Sequence, residues 1–399
     1  MPSRRSLLRA FLAKAPPPPP PARADTLVVV FLRGGADGLN MVVPHFELAY
    51  RGLRPNLALA EEDTLELDGK FRLHPALEPL LPLYRSKQLA IVHAAGSDDE
   101  TRSHFEAQDL MEHGGRHDQG AAGGWIARHL RAAGLERGSP LASIAIDTAV
   151  PRSLAGAPAV ALTSLDELAL AGHDANREAL EASLDALYQS AEGGVADTGR
   201  NTLAMLRRVA AMLETDGKAV AEPAAPPAEA APALSDFERG LGTVARLIRA
   251  DVGLRAATID VDGWDTHFVQ GTTGGLQADR MRVLAAGLAG FVEQLGDRIE
   301  RTVVLVGTEF GRRAYENSSP GTDHGRGSIM FALGAGVAGG RIITDWPGLA
   351  RDALEGPGDL PVSIDHRDVA GEIVTRVLGN EHVDEVFPGY TPTWRGVTS

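Results

Sequence analysis

Carboxylates and imidazoles stand directly after three apolar runs of this sequence. Gly307-Thr308-Glu309-Phe310-Gly311-Arg312 follows Thr302-Val303-Val304-Leu305-Val306, and Gly321-Thr322-Asp323-His324-Gly325 comes a few residues later. Asp262-Gly263-Trp264-Asp265-Thr266-His267 follows a run from Ala256 to Val261, and Asp37 lies in a glycine-rich turn beyond Leu27 to Leu32. Asp37, Asp262, Asp265, His267, Glu309, Asp323 and His324 are therefore candidate metal ligands. Hard oxygen donors with imidazoles suit Zn²⁺, Mg²⁺, Mn²⁺ or Ca²⁺, ions that polarise a phosphoryl or sulfuryl oxygen. The plain alternatives are that Asp265 and His267 bond one another and that Glu309 and Arg312 form a structural ion pair.

Ser103 is the candidate nucleophile. It sits in Arg102-Ser103-His104-Phe105, just before a stretch from Ala107 to Glu112 with helical spacing. A helix amino terminus favours an oxyanion and helps to ionise a hydroxyl beside a metal. The same place is also that of an ordinary N-cap.

These groups need elements that bring them together. The β-branched apolar runs read as strands buried on both faces, and in open α/β sheets ligands bind beyond the carboxyl ends of such strands. Leu89-Ala90-Ile91-Val92-His93-Ala94 reads as another, Ser328 to Leu333 as a further one, and residues 141 to 163 as short strands. Helical spacing is predicted from Pro75 to Tyr84, over 165 to 218 and Phe237 to Ala250, from Gln277 to Leu295 and from Val369 to Leu378. Strand and helix alternate, which predicts an α/β fold with a mainly parallel sheet covered by helices. His113, His117 and His129 are irregularly spaced and read as surface residues. Arg152 is a speculative contact for a substrate anion.

Composition narrows the class. The 399 residues, 44% hydrophobic, can bury a large core, and a formal charge of −14 offers nothing to neutralise a nucleic-acid backbone. Absence of cysteine excludes disulfides, thiolate ligands and a cysteine nucleophile. No segment approaches the ~20 apolar residues of a membrane span. Residues 1–24 carry Arg4, Arg5, Arg9, Lys14 and Arg23 with no acid before Asp25. Ser3-Arg4-Arg5-Ser6-Leu7-Leu8 resembles a twin-arginine export signal, with Ala22-Arg23-Ala24 as a cleavage site. A basic tail with the spacer Pro16 to Pro21 is the competing reading. Residues 25–399 then form one domain with a helical insertion at about 165–250, and Ala219 to Pro232 reads as a linker within it.

Five segments in order, Phe31-Leu32-Arg33-Gly34-Gly35-Ala36-Asp37-Gly38-Leu39-Asn40, Arg102-Ser103-His104-Phe105, Gly263-Trp264-Asp265-Thr266-His267, Glu309-Phe310-Gly311-Arg312 and Gly321-Thr322-Asp323-His324-Gly325-Arg326-Gly327, resemble those of the domain of unknown function 1501 family. The resemblance runs from about Thr26 to Pro388. It implies the alkaline phosphatase and sulfatase superfamily: a three-layer α/β/α sandwich, alkaline phosphatase-like, with metals at the strand ends. It further implies that Asp37 is the first-strand metal aspartate and that Ser103, or Thr101, is the nucleophile. Asp262 or Asp265, with His267, would serve one metal, and His324 would be the last metal histidine. Where the superfamily carries an Asp-His pair this chain has Glu309-Phe310, and phenylalanine cannot ligate a metal.

The expectation is an exported, metal-dependent hydrolase of phosphate or sulfate esters acting on a small-molecule or glycan ester. Ser103 attacks, and Arg102 or Arg312 steadies the developing anion. The twin-arginine machinery would deliver it to the periplasm or outside the cell; without a working leader it stays cytoplasmic. A non-catalytic binding or secretion-associated protein with a degenerate metal centre is the alternative.

Overall fold

The computed structural model describes residues 24–115, 121–136, 139–168, 174–219 and 235–399. The leader except Ala24, and most of the linker, lie outside them. Nine strands form the central sheet: β1 (Thr26–Leu32), β2 (Leu89–Gly96), β3 (Ser143–Ile146), β4 (Ala159–Leu162), β5 (Ala256–Val261), β6 (Thr302–Thr308), β7 (Ser328–Gly334), β8 (Arg341–Ile343) and β9 (Ile364–Asp365). Their order is β8-β2-β7-β6-β1-β5-β3-β4, with β9 also pairing β2. Every pairing is parallel except those of β7, which runs antiparallel to β2 and β6. Val42–Pro44, Phe71–Leu73 and Leu65–Glu66 make a separate small antiparallel sheet.

Alternation along β1 explains the layers, because successive side chains of a strand point to opposite faces. Val28, Val30 and Leu32 pack into one core with helices α5 (Asp236–Arg249) and α6 (Leu276–Leu295), through Leu241, Val244, Leu284, Leu288 and Phe291. Leu27 faces the other core, built with α2 (Trp125–Ala132) and α7 (His366–Arg376) through Ile126, Leu130, Val369 and Ile373. A sheet buried on both faces needs helices on both, and the fold is a three-layer α/β/α sandwich. α5 opens with a reciprocal capping box between Ser235 and Glu238. Two long helices, α3 (Asp174–Ser190) and α4 (Gly194–Ala219), stand in the predicted insertion. No helix of the described residues is long and apolar enough to cross a membrane.

Register fixes the site's level. Leu32 lies beside both Val261 and Thr308, so the loops after β1, β5 and β6 leave the sheet at one edge. β7 begins at that same edge, with Ser328 beside Ala95 near the carboxyl end of β2. Its reversal delivers His324, which precedes its strand, to the loops that follow theirs. The sequence reading of a further strand at 328–333 is met, but its antiparallel sense is not visible in composition.

Two expectations change. His113 and His129 are buried, each about 1% exposed, where surface positions are predicted. His113 bonds the carbonyls of Gly115 and Ala121, and His129 Nδ1 lies 2.9 Å from the Asn380 side chain. His117 lies outside the described residues. Arg152 faces Asp109 at 3.4 Å, and its backbone amide donates to Glu112, so its guanidinium is already paired with an acidic side chain.

Candidate metal centre

Three imidazoles and one carboxylate converge at this edge. Among the described residues, His104, Asp265 and His324 place donor atoms within 4.8 Å of one another, a group that can hold a metal ion. His267 joins them: its Nε2 lies 2.9 Å from His324 Nε2 and 3.1 Å from Asp265 Oδ1, while His324 Nε2 lies 3.2 Å from that same oxygen. His104 Nε2 is 3.6 Å from Asp265 Oδ2. Donors around a shared four-coordinate divalent ion sit on the order of 3.3 Å apart, so the spacing fits one.

The far nitrogen of each ring is held by oxygen. His324 Nδ1 lies 2.9 Å from the Arg102 carbonyl, which can only accept, so Nδ1 carries the proton and Nε2 its lone pair. His104 Nδ1 donates to Glu309 at 2.8 Å, and His267 Nδ1 to Asp323 at 3.3 Å. Such carboxylate–histidine contacts orient metal-binding imidazoles and make them more basic. His104 Nε2 is buried and has no hydrogen-bond partner. With the protons at Nδ1, the lone pairs of His267 and His324 face each other beside an anionic oxygen. That arrangement is repulsive until a cation lies between them.

Electrostatics follow from these contacts. The hydrogen bond to Glu309 outweighs burial and raises the His104 pKa above the ordinary imidazole value. Burial lowers that of His324, against the pull of the Arg102 carbonyl. Burial also works to raise Asp265, but the Arg312 hydrogen bond and charge, with the neighbouring histidines, hold it below the usual carboxylate range. Glu309 is likewise pushed up by burial and brought down further by His104, Gln108 and the Gly34 amide.

The loops carrying these groups are locked. Gly34 adopts φ +118°, and a Cβ there would lie 2.6 Å from the Asp265 backbone nitrogen, so only glycine permits the first loop to approach the second. Gly321 packs equally close to the His267 carbonyl. Arg312, with no exposed side-chain surface, donates to the carbonyls of Gly34, Gly35, Trp264 and Thr322 and to Asp265 Oδ1 at 2.6 Å. Phe310 lays its ring 4.9 Å from His104 and 4.8 Å from His324, centroid to centroid. It walls the centre where it cannot bind an ion.

Each predicted residue therefore has a definite place. Asp265, His267 and His324 meet. Glu309 and Asp323 stand one layer behind, orienting His104 and His267. Asp262 is exposed and outside the cluster. Asp37 is not part of it: its carboxylate accepts from Arg54 at 2.5 and 2.9 Å and from Gln270 at 2.7 Å. The Arg102 guanidinium is committed to Asp359 and the Glu100 carbonyl, so its carbonyl oxygen, not its charge, reaches the centre. Arg312 has no side-chain surface to offer a substrate anion, because its partners enclose it. Ser103 is the N-cap residue of α1 (His104–His113), yet its side chain makes no capping bond. His104 is the residue that sequence reasoning missed. It stood inside the quoted segment Arg102-Ser103-His104-Phe105, hidden beside the more familiar serine.

The molecule is thus a three-layer α/β/α protein with an imidazole–carboxylate centre at the carboxyl edge of its sheet. The chain belongs to the family described as Protein of unknown function (DUF1501), whose model matches residues 90–377. No curated protein matches it. Among solved structures, it is similar at 12% identity to the alkaline phosphatase from the Antarctic bacterium TAB5, with TM-score 0.32, covering 80% of this chain and 94% of that one. It is similar at 10% identity to the C-terminal periplasmic domain of EcEptC from Escherichia coli in complex with Zn, with TM-score 0.37 and coverage of 95% and 92%. The lipoteichoic acid synthase LtaP from Listeria monocytogenes shares 11% identity at TM-score 0.32, with coverage of 95% and 77%.

Proposed function

We propose that this protein is a metal-dependent hydrolase of phosphate or sulfate esters, built on one ion held by His104, Asp265, His267 and His324. The observation that carries the reading is the convergence of three imidazole Nε2 atoms on one carboxylate, with every Nδ1 held by an oxygen. The five segments resemble those of the domain of unknown function 1501 family, and the superfamily which that resemblance implies is one of ester chemistry. A bound divalent ion would polarise the ester's phosphoryl or sulfuryl oxygen and favour ionisation of a nearby hydroxyl.

The chain's own residues supply the rest. Ser103 offers an uncapped hydroxyl at the amino end of α1, one residue before His104, where backbone amides face an oxyanion. Its oxygen bonds to phosphorus or sulfur as the ester oxygen leaves with a proton, and water then releases the acid and restores the serine. The arginines of this edge are already paired: Arg33 with Asp260 and Glu112, Arg102 with Asp359, Arg312 with Asp265, Arg313 with Asp323 and Arg326 with Glu355. Charge neutralisation accordingly falls to the ion and the helix amides.

A single ion follows from where the other carboxylates are spent. Asp37 is neutralised by Arg54, and Glu309 is occupied by His104, Gln108, Gly34 and Thr308. The same facts favour the second reading, a binding protein whose centre has lost catalysis. Inductively coupled plasma mass spectrometry of the purified protein, beside His104→Ala and His324→Ala, tests the centre. About one equivalent of divalent ion, lost in both variants, is expected; full stoichiometry in both would overturn it. Aryl phosphate and sulfate esters, assayed with and without added divalent ions, separate hydrolase from binding protein. Export through the twin-arginine route is proposed from residues 1–24, and periplasmic accumulation abolished by Arg4→Lys with Arg5→Lys tests it.

A further inference from the structure

Three large apolar side chains close in sequence to the centre's histidines stand in water. Phe105 directly follows His104 and is 87% exposed; Phe268 and Val269 directly follow His267 and are 68% and 71% exposed. Single exposed apolar residues are ordinary, whereas a cluster rimmed by polar groups marks a binding surface.

The backbone that carries Phe268 and Val269 is pinned. The Val269 amide donates to the Ser319 carbonyl and the Gln270 amide to that of Pro320, each at 2.9 Å. The Asn317 side chain donates to the His267 carbonyl at 2.9 Å. Val269 is held at φ +45°, a conformation that a β-branched residue adopts only when its surroundings impose it. Strained non-glycine backbone gathers at binding sites, and Arg102, at φ +57° beside Ser103, is a second instance at the same centre. The Phe268 ring lies 6.4 Å from that of His267, which puts this apolar group next to the centre.

We infer that Phe105, Phe268 and Val269 form an apolar lip that binds the organic portion of the ester, selecting aryl or long alkyl groups over small polar ones. This rests on the proposed ester chemistry for the nature of the ligand's head. The head meets the centre, and the apolar body covers the lip, excluding water from it.

The test separates the lip from the chemistry. The metal-loaded full chain and its Phe105→Ser/Phe268→Ser variant are titrated by calorimetry with methylphosphonate and with 1-naphthylphosphonate, which cannot be hydrolysed. Hydrolysis of the two corresponding phosphate esters is followed in parallel. Burial of an aromatic group predicts that the wild type binds the naphthyl compound at least about tenfold more tightly, and that the variant loses most of this preference. Methylphosphonate affinity and metal content should be unchanged, since both substituted side chains are exposed. Equal wild-type affinities, or a preference that survives in the variant, would overturn the lip. A preference without hydrolysis of either ester would overturn the hydrolase reading and leave the lip standing.

Discussion

Arg54 and Asp37 form a buried two-pronged ion pair, with Nη1 2.5 Å from Oδ2 and Nη2 2.9 Å from Oδ1, and neither side chain is more than 1% exposed. Arg54 also donates to Asn40 and to the carbonyls of Ala314 and Arg313, so one guanidinium ties the turn after β1 to the segment after β6. The aspartate that the superfamily resemblance assigns to a metal thus already has its cation.

Removing that cation strands a charge. Arg54→Ala should destabilise the fold by about 3–5 kcal/mol, the cost of breaking a buried pair from one side, and Arg54→Leu with Asp37→Leu should recover much of it. Urea unfolding of the three proteins measures this; a single variant within 1 kcal/mol of wild type, on the order of a surface pair, would refute the pair's structural role.

Glu309 holds His104 Nδ1 and would act on a bound ion through that ring. Glu309→Gln should leave the protein folded and weaken divalent ion binding by about 10–100-fold, the usual effect of losing a carboxylate behind a metal-binding imidazole. Competition with a chromophoric chelator reads the affinity, and an unchanged value would show that Glu309 does not orient a ligand.

Ser103→Ala should retain the metal and the melting temperature while losing ester turnover. Full turnover at full occupancy would transfer the attack to water.

Two buried histidines set an acid limit on stability. Burial pushes His93 and His129 down to about 4. His93 already donates from Nε2 to the Val42 carbonyl and accepts at Nδ1 from the Ala94 amide, so a second proton would displace that amide. A pKa lower in the folded than in the unfolded chain means stability that is complete above about pH 6.5 and lost as pH falls from there to about 4. Each group contributes a slope of about 1.4 kcal/mol per pH unit in that window. The difference in urea midpoint between pH 7 and pH 5 should shrink in His93→Gln, and an unaltered difference would exclude its titration.

Seven of the nine sheet strands were legible, chiefly as β-branched apolar runs; Arg341–Ile343 and Ile364–Asp365, only three and two residues long, were not. Asp265, His267 and His324 were legible for a related reason: polar groups following such runs must emerge at a sheet edge. Arg54 carried no comparable signal. Its link to Asp37 spans 17 residues that include two short helices and a strand, and nothing in the spacing separates it from any surface arginine. The role of His104 was obscured because a helix start offers the same neighbourhood to a capping serine and to a ligand. Which carboxylates would bind an ion and which would hold an imidazole depends on differences of an ångström or two in loop placement, and residue type does not encode that.

The reversed strand has a consequence for how the molecule comes apart. His324 reaches Asp265 across 59 residues of chain, and His104 reaches Glu309 across 205, so no local fragment holds the set. An ion bound there is a cross-link among distant segments, present in the native sheet and absent from the unfolded chain. Its free energy of capture adds to cooperativity, and a chelator should loosen this edge of the sheet before it disturbs the helices behind.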